Sequence, residues 1–267
     1  MNTYITGATG TIGRHFVNSA RKIDVDLEKD FVLSPEIASK GEFTLVHLAG
    51  KVGVEAVSRD IDLAFKVNVT SSRLLAEECI KAGIKKFIYV STSHVYQRSN
   101  EMLDENSPTN PLNVYSQQKR MAELEIIDAF RATPERLVVA RVFSILDWGT
   151  PEFTLGGAVL KLLRGEISSL NAGMDLRDFL TPKKVASILM EIAASTQLSG
   201  IVNICSSNPI SIADAAGRML KEAGAPELAL KIVSEHSMNP VIVGSNQKLK
   251  KAIPNLDLQW VPSKLTP

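Results

Sequence analysis

The chain has 267 residues, 45% of them hydrophobic and 22% charged, too apolar for a disordered protein and long enough for one large domain or a domain with a smaller lobe. Thirty Lys and Arg against 29 Asp and Glu leave a formal charge of +1 with no basic block, which argues against a nucleic acid or an anionic membrane as partner. Cys79 and Cys205 are the only cysteines, no apolar run approaches the roughly 20 residues of a membrane span, and the four histidines hold no metal-site spacing, so we expect a cytoplasmic protein without disulfide framework, membrane segment or metal.

In chain order, Thr3–Thr6 reads as a buried strand running into Gly7-Ala8-Thr9-Gly10-Thr11-Ile12-Gly13, and residues 12–22 carry apolar side chains at helical spacing. Residues 23–27 must then serve as a second strand with hardly a connection, and a whole βα unit is missing before the strand at 44–49. An amphipathic helix follows at 64–82, stopped by Gly83, then a strand at 86–91, a helix at 115–130 and a strand at Leu137–Val142. Strands alternating with helices imply right-handed βαβ units, hence an α/β fold with a Rossmann-type doubly wound parallel sheet. The pattern changes where Gly and Pro cluster at 147–157; shorter elements follow at 185–195, Gly200–Ile204 and 212–223. Residues 1–146 are expected to form a dinucleotide-binding domain. Residues 147–267 are expected mainly as a smaller substrate lobe, some segments of which return to the first domain, over the sheet edge where ligands bind.

Three groups of residues carry chemistry. Gly7, Gly10 and Gly13 form a G-x-x-G-x-x-G turn between strand and helix, which lets backbone N–H groups approach a pyrophosphate. Tyr115 and Lys119 stand four apart on one helix face, where an ammonium at about 4 Å would supply the roughly 4 kcal/mol needed to bring a phenol from pKa about 10 to 7. Ser91, Thr92 and Ser93 end an apolar strand, where a hydroxyl can meet a substrate carbonyl. Phe65, Leu74, Leu75, Met121 and Leu124 read as core or interface packing on the two long helices.

With these groups in hand, the chain resembles the extended short-chain dehydrogenase/reductase family, specifically the NAD-dependent epimerase/dehydratase enzymes that act on nucleotide-sugars. Gly7, Gly10, Thr11, Ile12 and Gly13 match its cofactor turn, His47-Leu48-Ala49-Gly50 its cofactor-lining motif, and Asn68-Val69-Thr70 its Asn-x-Thr helix start. Ser91–Tyr96 matches the catalytic hydroxyl segment, and the family register selects Thr92, four residues before the closing aromatic. Tyr115-Ser116-Gln117-Gln118-Lys119 matches the Y-x-x-x-K pair, and Arg177-Asp178-Phe179-Leu180 a segment whose arginine meets substrate phosphate or ribose. The resemblance implies hydride transfer on a bound nicotinamide, with Tyr115 giving or taking the proton, Lys119 lowering its pKa and holding the cofactor ribose, and Thr92 orienting the carbonyl. Ser93, His94 and Ser144 join Arg177 as substrate-facing candidates. Ser144 stands where the family often has Asn, which weakens the match at the pyrophosphate.

The resemblance leaves the adenosine side open. Asp24 and Asp26 are the candidates for its ribose, Asp30-Phe31 for the pair beside the adenine, and Arg14 for a 2′-phosphate, with a slight lean to NADP(H) over NAD. It also implies a homodimer through a four-helix interface. The leading expectation is reduction of a 4-keto-6-deoxysugar nucleotide in surface-polysaccharide or natural-product synthesis. A nucleotide-sugar 4-epimerase with tightly held NAD is the alternative, and a non-catalytic dinucleotide-binding regulator is the alternative of another class. Ser93 and His94, rather than an acidic pair, follow Thr92, which argues against dehydration.

Overall fold

The computed structural model describes residues 2–17, 19–23, 25–28, 42–148, 150, 154–233 and 242–265. Its centre is a sheet of six parallel strands: β1 (Thr3–Thr6), β2 (Arg21–Lys22), β3 (Thr44–His47), β4 (Lys86–Thr92), β5 (Leu137–Val142) and β6 (Gly200–Ile204). They are hydrogen-bonded in the order β2-β1-β3-β4-β5-β6. Among the described residues the α-helices are α1 (Val54–Arg59), α2 (Ile61–Phe65), α3 (Ser71–Lys81), α4 (Val114–Ala129), α5 (Leu155–Leu163), α6 (Pro182–Ala194), α7 (Ile212–Glu222) and α8 (Gln247–Ala252), with a π turn at Lys66–Thr70 joining α2 to α3. This is the Rossmann-type architecture expected from the alternation of strand and helix patterns.

Both faces of the sheet are covered, because each strand alternates its side chains between two apolar layers. On one face Tyr4, Leu45, Phe87, Tyr89 and Val139 pack with Leu75 and Cys79 of α3 and Ala122 and Ile126 of α4. On the other Ile5, Val46, Ile88, Val138 and Val202 pack with Val185, Leu189 and Ile192 of α6. Each fully buried Val, Leu or Ile contributes about 1.5–3 kcal/mol, so these two layers are what hold the sheet. Lys86, buried at the foot of β4, donates its ammonium hydrogens to the Ile192 and Ser195 carbonyls at the end of α6 and so locks that helix in place.

Two expectations are corrected. No regular helix spans residues 12–22; a single 3₁₀ turn, Gly13–His15, replaces it, and Phe16 inserts into the α6-side core. The second strand is Arg21–Lys22 rather than 23–27, and it pairs with β1 through Tyr4 and Ile5. The reason is length. Only residues 7–20 separate β1 from β2, and the glycine turn takes half of them, so a full crossover helix does not fit.

The later segments split between two places. α6 and β6, read from sequence with the smaller lobe, complete the layers of the main sheet. A third apolar cluster gathers Leu146, Trp148, Val159, Leu162, Met219 and Trp260 around α5 and α7. Short strand pairs carry this region over the sheet: Ser144–Ile145 with Phe179–Leu180, and Leu176–Arg177 with Ile210–Ser211. Asp178 joins it together, being fully buried and accepting hydrogen bonds from the Ser206, Ser207 and Gly244 N–H groups and from the Ser206 hydroxyl. Among the described residues no helix is long and apolar enough to cross a membrane.

Candidate active site

The sheet order reverses at β1, with β2 on one side and β3 on the other, and the loops leaving β1 and β3 meet there. Gly7 ends β1 at φ +69°, and a Cβ on it would lie 2.7 Å from the Ala49 nitrogen. Only glycine lets the two loops touch. A Cβ at Gly13 would stand 2.0 Å from the Gly7 carbonyl oxygen, so the turn closes on itself as well. Inside the turn the Gly10 N–H bonds to the Gly7 carbonyl and the Arg14 N–H to the Gly10 carbonyl. The N–H groups of Thr11 and Ile12 have no backbone acceptor among the described residues, which leaves donors for a pyrophosphate. The turn therefore fits a dinucleotide without the helix that was expected behind it. Arg14 is exposed immediately after it, and Asp24, Asp30 and Phe31 lie outside the described residues.

The loop after β3 is held by side chains. The Thr6 hydroxyl oxygen accepts from the Leu48 and Ala49 N–H groups at 3.2 and 3.1 Å and shares a hydrogen with His47 Nδ1 at 2.7 Å. His47 Nε2 meets the Ser72 hydroxyl at 3.0 Å. Complete burial, and then the charge of Lys119, lower the His47 pKa to about 3, so the ring is a neutral brace. Asn68, on the π turn, accepts from the Lys51 N–H at 2.8 Å and donates to the Lys51 carbonyl and to Gln118 Oε1. It ties the Gly50 loop to α4, and a Cβ at Gly50 would crowd its Oδ1 at 2.9 Å.

α4 begins with a capping box, in which Asn113 Oδ1 accepts from the Ser116 N–H and the Ser116 hydroxyl oxygen accepts from the Asn113 N–H. The cap places Tyr115 in the first turn and Lys119 one turn later, both half-buried. Lys119 Nζ donates to the Val90 carbonyl at 2.7 Å and lies 4.2 Å from the Tyr89 ring centroid. Burial brings Lys119 down to about 7, opposed by Glu123. Burial pushes Tyr115 up to about 12, the reverse of the lowering expected from its lysine neighbour. The ammonium is turned to β4, and desolvation of the phenol prevails.

Thr92 ends β4, and its hydroxyl oxygen accepts from the His94 N–H at 3.2 Å, which leaves its O–H hydrogen to give to a ligand. Beyond it opens a cavity of about 130 Å³, whose wall includes Ser93, His94, Tyr96, Arg98, Asn113 and Arg177. Partial desolvation, then the charges of Arg177 and Arg98, lower the His94 pKa. Arg177 is steadied by Asp175 at 3.3 Å and by the Leu176 carbonyl at 3.0 Å. Ser144 is half-buried on its short strand and does not line this cavity.

Sequence reasoning missed Arg98, which stands in a loop without periodicity, and the charge cluster behind the site. Glu123, fully buried two turns after Tyr115, accepts from the Ser91 hydroxyl at 2.6 Å, from Arg141 at 3.0 and 2.7 Å, and from Arg120 at 2.9 Å. Arg141 in turn lies 4.5 Å from the Tyr96 ring centroid, and the Tyr96 hydroxyl donates to Asn203 Oδ1. The available signal was a charged residue inside an otherwise apolar β5. No group of three or more His, Cys, Asp or Glu among the described residues is placed to hold a metal ion.

The model of the NAD dependent epimerase/dehydratase family matches residues 21–205. A dTDP-6-deoxy-L-talose 4-dehydrogenase (NAD(+)) of Aggregatibacter actinomycetemcomitans is 27% identical over 90% of this chain and 95% of its own length. The beta subunit of methionine adenosyltransferase 2 from Danio rerio is 31% identical over 46% of this chain and 42% of its own. The first relatives it matches are covered only in part, with 29% of one and 51% of another spanned. Among solved structures, RMD from Pseudomonas aeruginosa complexed with NADPH superposes with a TM-score of 0.82 at 22% identity, over 97% of this chain and 93% of that one.

Proposed function

Because the chain belongs to the NAD dependent epimerase/dehydratase family, we propose that it is an NAD(P)-dependent oxidoreductase that reduces the 4-keto group of a 6-deoxysugar nucleotide. The observation that carries this reading is the meeting of the Tyr115–Lys119 turn of α4 with the end of β4, where Lys119 is fixed on the Val90 carbonyl two residues before Thr92. The alignment with a 6-deoxysugar-nucleotide 4-dehydrogenase along nearly its whole length supports that substrate class.

When bound, the nicotinamide supplies the hydride. Tyr115, kept protonated by burial, donates its proton to the substrate oxygen as the carbon is reduced. Thr92 gives the same oxygen a hydrogen bond, and the Lys119 ammonium compensates the tyrosinate that remains. Arg177 and Arg98 give the cavity a cationic wall suited to an anionic nucleotide-sugar, with His94 beside them as a neutral ring. Ser93 and Asn113 add polar contacts there. The glycine turn, Leu48, Ala49 and Gly50 receive the dinucleotide. Arg14 is the residue that would meet a 2′-phosphate; Arg14→Ala is then expected to weaken NADPH at least tenfold and to spare NADH. We further propose a homodimer, joined by the apolar face that α3 and α4 leave exposed.

Titration with NADH and NADPH by fluorescence, followed by absorbance at 340 nm with a panel of 4-keto-6-deoxysugar nucleotides, tests the reading. Stoichiometric oxidation of the reduced cofactor is expected. Interconversion of sugar nucleotides without its consumption would replace reduction by epimerisation, and failure to bind either cofactor would reject the oxidoreductase.

A further inference from the structure

Lys119 does not rest on hydrogen bonds alone. Its nitrogen sits 4.2 Å from the centroid of the Tyr89 ring while it donates to the carbonyl of the next residue, Val90, so two consecutive residues of β4 form one seat. Tyr89 is almost fully buried, yet its hydroxyl has no hydrogen-bond partner among the described residues. A buried phenol ordinarily finds one. Here the polar group that Tyr89 engages is engaged by the face of its ring, which carries the negative side of the aromatic quadrupole. The ring is itself fixed beside His47, with centroids 5.9 Å apart, and His47 is locked between Thr6 and Ser72.

We propose that Tyr89 is a positioning residue whose ring face holds the Lys119 ammonium, charged, at the end of β4. The proposal rests on the reading of Lys119 as the ammonium that serves cofactor and Tyr115. The other charged or titratable groups around it do not replace the ring. On α4, Glu123 favours the charged form of Lys119, but its oxygens are engaged by Ser91, Arg120 and, from β5, Arg141. His47 on β3 is neutral and Tyr115 is protonated. With burial bringing Lys119 down to about 7, a modest attraction decides its charge at neutral pH.

The test is the titration of Lys119 in the full chain, followed by NMR of ε-¹³C-lysine, its signal assigned by loss in Lys119→Met. Four proteins are compared: the parent, Tyr89→Phe, Tyr89→Leu, and the chain carrying fluorinated phenylalanine at position 89, which keeps the ring's shape and withdraws its negative face. The midpoint is expected to stay put in Tyr89→Phe and to fall by about one pH unit in Tyr89→Leu and the fluorinated protein. The alkaline limb of the kcat profile is expected to move with it. Equal midpoints in the parent and the fluorinated protein overturn the proposal, and that comparison holds even where Tyr89→Leu fails to fold. A parent without cofactor-dependent turnover removes the oxidoreductase reading, while the midpoints still decide whether the ring holds the ammonium.

Discussion

At the scale of single residues, Tyr115 and Lys119 share one helix face but are displaced in opposite directions by the same cause. Desolvation penalises the charged form of each, so the phenol keeps its proton and the ammonium holds its own only weakly. For reduction this is a useful pair, since the donor is loaded throughout the working range and the compensating charge is present below about pH 7. The sign follows. Lys119 is positive below its pKa, so the kcat of ketone reduction is expected to fall as pH rises through about 7; a flat profile from pH 6 to 9 would remove Lys119 from that role. Tyr115→Phe is expected to lower turnover 100-fold or more, with cofactor affinity within about twofold by fluorescence titration. His47 adds a stability term. Its folded pKa of about 3 lies below the unfolded 6.5, so the stability it contributes is present above 6.5 and is lost as pH falls toward 3. Urea melts between pH 7 and 4 are expected to show this loss, on the order of several kcal/mol, and a His47→Asn variant to show much less of it.

At the scale of elements, what was legible in the sequence was what is local. The i, i+4 spacing of Tyr115 and Lys119, the hydroxyls at the end of β4 and the alternation of Phe87, Tyr89 and Ser91 against Ile88, Val90 and Thr92 can be read directly, because each follows from one helix or one strand period. The Ser91–Glu123–Arg141 cluster could not be read so, because its members come from β4, α4 and β5 and meet only through the sheet order. Residues 12–22 misled for the same reason. Ile12, Phe16 and Ala20 are spaced as on a helix and do pack on the α6-side core, but the short path to β2 overrules the local pattern. With no helix behind it, the glycine turn relies on backbone closure together with the packing of Ala8 and Ile12, and Gly13 is where that closure is tightest. Gly13→Ala must push the Gly7 carbonyl away from a contact of 2.0 Å. It is expected to cost about 1–3 kcal/mol in a urea melt and to weaken both dinucleotides tenfold or more. Unchanged affinity would mean that the turn does not hold the cofactor.

At the scale of the molecule, α4 presents two unlike faces. Tyr115, Lys119 and Glu123 look to the sheet, whereas Met121 and Leu124 are 44% and 51% exposed on the opposite side. Leu74 of α3 and Phe65 of α2 continue that surface at 40% and 36%, and Arg73, paired with Glu77 and Glu125, is the polar element beside it. An apolar face with a charged border is the composition of an interface core and rim. A second copy on this face would bury the helix that carries Tyr115 and Lys119 from the side away from the sheet, so that its register against β4 is set from both sides. Leu124→Glu places a carboxylate in the centre of that surface without touching the residues that face the sheet. Sedimentation is expected to find the parent as a dimer and Leu124→Glu as a monomer that still binds dinucleotide, with Tm lowered and dependent on protein concentration in the parent only. A variant that remains dimeric would put the interface elsewhere and leave α4 held from the sheet side only, by Ala122 and Ile126 in the core and by the hydrogen bonds of Lys119 and Glu123.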